Sequence, residues 1–176
     1  GIEEVSIEYS GDVVNYDVAP ITIACLKGLL DQLLDMYVNF VNAPFVAKER
    51  GIKVVEVKSS RATDFASSIT IKVRTKDGEN IVEGALFGKK EPRIVRIDKF
   101  LLDAVPEGNL LLLQNEDKPG VIGNVGTLLA ANNVNVARLH LGRSSEGGEA
   151  VSVWSVDTPV AQGLVGATFA PGSYNY

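Results

Sequence analysis

The sequence predicts an α+β fold built as two small domains. Three observations carry this. First, 176 residues with 45% hydrophobic and 22% charged side chains have a globular balance and room for one or two cores. Second, three alternating stretches follow one another between 67 and 97 with turn residues between them, which reads as an antiparallel meander with helices ahead of it. Third, after a Pro- and Gly-bearing stretch at 100–108, the pattern restarts as β, α, β, β. The expected limits are 1–105 for the first domain, 109–160 for the second, and 161–176 for a tail of a different character.

The elements follow in order. Val5–Tyr9 alternates apolar and polar residues and reads as a half-buried strand, ended by Ser10-Gly11. Pro20 suits the first turn of a helix, where its missing N–H costs nothing. Ile21, Ala24, Cys25, Gly28, Leu29 and Leu33 then form a broad apolar face, widened by Leu30 and Leu34, so this helix is expected to be largely buried. A second helix is predicted over Ala43–Arg50 with Gly51 as its C-terminal cap, then a strand over Ile52–Val57. Ser67–Arg74, Asn80–Phe87 and Arg93–Ile97 are the meander, turning at Lys76-Asp77-Gly78 and Gly88-Lys89-Lys90. Phe100–Gly108 reads as a linker. Leu110–Leu113 is a buried strand and Gly120–Ala131 a helix with Val121, Val125, Leu128 and Leu129 on one face. Asn132-Asn133 can end it in the left-handed conformation. Val134–Leu141 and Ala150–Val156 are strands joined by a hairpin loop at 142–148.

Composition excludes several functions. A formal charge of −5 argues against nucleic acid or an anionic membrane as partner. No apolar run approaches the ~20 residues that span a bilayer, and the acidic start GIEEVSIEYS is no signal peptide. Cys25 is the only cysteine, so there is no internal disulfide and no cysteine-built cluster. These features point to the cytoplasm. The chain opens inside a strand-like pattern without an initiator Met, and the expectation is that it belongs to something longer. G120-x-x-G123-x-x-G126 has the wrong spacing for a dinucleotide fingerprint, and no phosphate-cradling loop is present. With His140 as the only histidine and no recognisable acid/base pair, neither catalytic residues, a resident cofactor nor a metal is expected in these 176 residues.

Two features hold binding chemistry. The turn QNEDKPGVIG, residues 114–123, leads from a strand into a helix, whose exposed N–H groups and positive dipole end suit a carboxylate. Asp117 can cap the helix or accept a ligand ammonium. The second feature is GKKEPRIVRIDK, residues 88–99, where Arg93 and Lys99 belong to a basic cluster. It reads as a small-anion site or as a solvated edge strand protected by charge.

The second half, with NLLLLQNEDKPGVIGNVGTLLAANNVNVARLHLGR followed by GGEAVSVWSVD, resembles an ACT domain, a ferredoxin-like βαββαβ module that binds amino acids. The first half, with YSGDVVNYDVAPITIACLKGLLDQLL, VNFVNAPFVAKERGI and PRIVRIDKF, resembles the intervening domain of the long bacterial-type D-3-phosphoglycerate dehydrogenases. The resemblance covers residue 2 to about 160. It implies a regulatory part of an NAD-dependent enzyme of L-serine biosynthesis, whose catalytic and NAD-binding domains are not among these residues. It further implies that ACT domains of neighbouring subunits pair and hold L-serine between them as feedback inhibitor. Carried over, the effector contacts are Asn115, Asp117 and the helix-start amides of Val121 and Ile122, with Asn135 from the neighbouring subunit. Some relatives have His or Tyr in place of Asn115. The same resemblance places a substrate-like or phosphate-bearing anion near Arg93 and Lys99 in the intervening domain. Competing expectations are a regulatory fragment of L-serine dehydratase and a free-standing amino-acid sensor. An ACT domain also needs a second helix and a fourth strand after Asp157, for which AQGLVGATFAPGSYNY offers little. A partner chain or the other domain is then expected to cover the sheet.

Overall fold

A computed structural model describes residues 1–59, 64–88 and 90–161. The chain divides into two compact units, Gly1–Arg93 and Ile94–Tyr176. The expectation that little of a second helix and fourth strand follows Asp157 falls on residues 162–176, which lie outside the described residues, as does Lys89.

In the first unit, β1 (Ile2–Gly11) leads through a short 3-10 turn into α1 (Ala19–Leu33) and α2 (Ala43–Glu49). Then come β2 (Lys53–Ser59), β3 (Ser67–Thr75) and β4 (Gly78–Phe87), and the strands pair in the order β2-β1-β3-β4. The sheet is mixed rather than wholly antiparallel. β1 and β2 run parallel, because α1 and α2 intervene and return the chain to the same end. β1 is the central strand, and Val5, Ile7 and Tyr9 on one of its faces are fully buried beneath the helices.

The helices follow their sequence signals, with one correction. Pro20 stands at the start of α1. Gly51, at φ +71°, closes α2, and Ile52 N–H reaches Ala47 O in a Schellman-type cap. The buried stripe of α1, however, is Thr22, Leu26 and Leu30, at i, i+4 and i+8. Ala24, Gly28 and Leu33 are exposed, so α1 is a half-buried helix rather than a largely buried one. The rotation has a polar cause. The buried Tyr9 hydroxyl lies 2.7 Å from Thr22 Oγ1, and Thr22 in turn donates to Glu56. Turning Thr22 away would leave a buried phenol without that partner. Cys25 sits beside this stripe, and burial pushes its thiol pKa up, as suits a packing residue.

The second unit starts within β5 (Glu91–Ile97) and continues through β6 (Phe100–Ala104), β7 (Asn109–Glu116), α3 (Val121–Ala131), β8 (Val136–Arg143) and β9 (Glu149–Val156). The predicted linker at 100–108 therefore begins as a strand. Phe100 and Ala104 are buried while Leu101 and Asp103 point outward, and β6 pairs antiparallel with β5. β7, β9 and β8 form a three-stranded antiparallel sheet in that order. One face meets α3 through Leu111, Leu113, Val125, Leu129, Trp154 and Val156. The other face carries Val153, which clusters with Ile97 and Ala104 of the β5–β6 hairpin. Asn133, at φ +56°, ends α3 as its side chain type allows.

Candidate functional site

The 115–120 turn lies where β7 ends, and three strands fix its surroundings. Asn115 pairs with Ala150, and Ala150 pairs on its other side with Arg143. Asp117 N–H donates to Gly148 O at 2.7 Å, which ties the turn to the β8–β9 loop. Gly120 is the N-cap of α3 at φ +92°, and no side chain caps the helix. The Val121 amide reaches back to Lys118 O at 3.5 Å, at the limit of a hydrogen bond. The Ile122 and Gly123 amides find no acceptor among the described residues. A substituent at Gly120 would meet nothing within 4 Å, so approach to these amides is open.

Asp117 is therefore not the cap. Its carboxylate accepts a hydrogen bond from Arg143 Nη1 at 2.9 Å. Asn115 Nδ2 donates to Glu116 O at 2.6 Å. Lys118 pairs with Glu116, and this contact holds the Glu116 carboxyl below its usual range. A cavity of about 420 Å³ opens here, lined by Asp117, Lys118, Pro119, Arg143, Glu146 and Gly147. Two acids and two bases face it, a balance suited to a zwitterion rather than to a plain anion. A larger cavity of about 550 Å³ lies in the first unit among α1, α2 and β2. It is mostly apolar and contains no predicted site residue.

Asn135 stands elsewhere. Its Nδ2 donates to Asp157 Oδ2 at 2.8 Å, and it precedes Val136, which pairs with Val156. Ala150 and Val156 mark the two ends of β9, six residues or roughly 20 Å apart at ~3.3 Å per residue. One chain thus does not bring Asn135 to Asp117. The basic residues are each engaged within their own unit. Arg93 bonds Glu91 at 3.0 Å and lies over the Phe87 ring, and Lys99 pairs with Glu149.

Residues 1–98 match the family model described as the D-3-phosphoglycerate dehydrogenase intervening domain. The chain belongs to that family. Residues 109–168 match the ACT domain. Among similar proteins, the D-3-phosphoglycerate dehydrogenase of Synechocystis is 38% identical over 165 residues, 93% of this chain and 30% of its own length. That of Bacillus subtilis is 37% identical over 93% of this chain and 31% of its own length. The Archaeoglobus fulgidus enzyme is 38% identical over 90% of this chain and 30% of its own length. The chain thus spans about a third of these relatives, and both matched domains belong to the family's regulatory part. The 176 residues do not include the catalytic and dinucleotide-binding domains.

Arg143 was missed by sequence reasoning. Its signal was available only through register, since it meets the turn by way of β9. No helix among the described residues is long and apolar enough to cross a membrane.

Proposed function

We propose that this chain is the regulatory region of a cytoplasmic, NAD-dependent D-3-phosphoglycerate dehydrogenase, and that it binds L-serine as feedback effector between paired ACT domains. The carrying observation is the split of the predicted contacts between the two ends of one sheet. A single serine is far shorter than the roughly 20 Å between them. A two-fold pair of chains sets the turn of one against the start of β8 of the other and makes two equivalent sites. The open amides of α3 take the serine carboxylate, and Asp117 takes the ammonium. Serine then favours one arrangement of the pair and biases a distant active site by population shift, a coupling of typically ~1–3 kcal/mol. A phosphate-bearing small molecule bound at Arg93 must displace Glu91, and one bound at Lys99 must displace Glu149, each within its own unit.

The test is calorimetry with L-serine, glycine and phosphate, alongside sedimentation. Serine is expected to give heat and to tighten the dimer. Asp117→Ala is expected to abolish the heat while lowering stability by no more than ~1 kcal/mol, since the Arg143–Asp117 pair is partly exposed and Asp117 caps nothing. Absence of heat and thermal shift with millimolar serine refutes the effector site.

A further inference from the structure

We propose that Arg143 is the positioning residue of the ammonium subsite: it holds one oxygen of Asp117 and leaves the other for the ligand. This rests on the amino-acid reading of the 115–123 turn. The bond is a single one, from Arg143 Nη1 to Asp117 Oδ2. Arginine and a carboxylate bind most strongly through two parallel bonds. Here Asp117 Oδ1 takes no hydrogen bond from the described residues. An ionised carboxylate has about four acceptor positions, so three remain for an ammonium, which brings three donors.

Asp117 has no local duty that explains its orientation. It does not cap α3, and its backbone N–H is already spent on Gly148 O. Without Arg143 its side chain would be free to rotate among staggered wells. Arg143 is itself well placed, because its backbone pairs with Ala150, the residue that also fixes Asn115. One register therefore sets donor, carboxylate and turn together. The guanidinium also offsets charge. Glu146 lines the same cavity, and two unopposed acids there would draw a bare cation as readily as a zwitterion. With Arg143 and Lys118 present, the wall favours a ligand that carries both signs.

The experiment compares the purified protein with Arg143→Ala and Arg143→Lys by calorimetry against L-serine, with ethanolamine as a probe lacking the carboxylate. Arg143→Ala is expected to weaken serine about 10-fold or more, the scale of a hydrogen bond to a charged group. Its Tm should stay close to that of the parent, and Arg143→Lys should restore part of the affinity. Ethanolamine should lose less affinity than serine does, so the two ligands draw closer in Arg143→Ala. Unchanged or tighter serine binding in Arg143→Ala overturns the role of Arg143 and leaves the serine site standing. Joint loss of fold and affinity in both variants overturns it too, since the role is then structural. Failure of the parent protein to bind serine or glycine instead overturns the underlying reading of the turn.

Discussion

Replacing Gly142 by alanine probes how the β5–β6 hairpin meets the ACT sheet. Gly142 lies on β8 with an ordinary backbone, not in the left-handed region. A β-carbon built there would stand 2.5 Å from Leu101 O and 3.4 Å from both Leu101 C and Phe100 Cβ. The first distance is far inside van der Waals contact, and its partner is backbone, which cannot swing aside. β6 or β8 must shift, and overpacking of this kind costs about 1–3 kcal/mol. Against it stands the entropy gained by removing glycine from a strand, about 0.5–1 kcal/mol. The net expectation is a loss of about 1–2 kcal/mol, which lowers Tm by ~4–8 °C per kcal/mol for a unit of roughly 60–100 residues. Urea and thermal unfolding measure it. Gly123→Ala in α3, where an added β-carbon meets nothing within 4 Å, is the control of opposite sign and should gain about 0.5–1 kcal/mol. A Gly142→Ala protein as stable as its parent would refute the close approach of β6 to β8.

Two further outcomes are expected. Gly120→Ala puts a side chain at φ +92°, so it should cost about 1–2 kcal/mol in urea unfolding with no clash involved; a neutral result would mean that α3 starts differently. The carboxyls of Glu4, Asp31 and Glu116 are lowered, chiefly by hydrogen bonds from Lys53, Lys27 and Lys118 respectively. Their contribution is present above the usual carboxylate range and is lost as pH falls through the lowered folded values, so stability should fall between about pH 5 and pH 3. Glu116 is exposed and Glu4 and Asp31 are half-buried, so 1 M salt should flatten part of that slope, and stability that rises on acidification would contradict the assignments.

Much of the fold was legible because local chemistry and tertiary structure agree. Gly51, Asn133 and Pro20 each occupy the position their backbone preferences demand. Leu111 and Leu113 face α3, but Leu110 and Leu112 are 39% and 49% exposed, so the run read as a buried strand is buried on one face only. What failed depended on partners. The stripe of α1 was turned by a hydroxyl on β1, which a helix pattern does not contain. β6 is five residues long, with only its ends buried, and the Pro106 and Gly108 signals just beyond it drew the reading toward a linker. The parallel pairing of β1 and β2 follows from the path of the chain, not from either strand's alternation. At the candidate site, the turn and Asp117 could be named from residues, and Asn135 from the resemblance. The hold of Arg143 on Asp117, and that of Asp157 on Asn135, depend on a register three strands wide.

The packing of Val153 against Ile97 and Ala104 bears on how such modules are moved between proteins. The ACT match begins at residue 109, yet the cover for one face of its sheet lies upstream of that point. A graft cut at the family limit would arrive with a bare valine patch and a tendency to stick to its host or to itself. A graft cut ahead of Ile94 would carry its own lid, so the unit of transplantation is larger than the unit of homology.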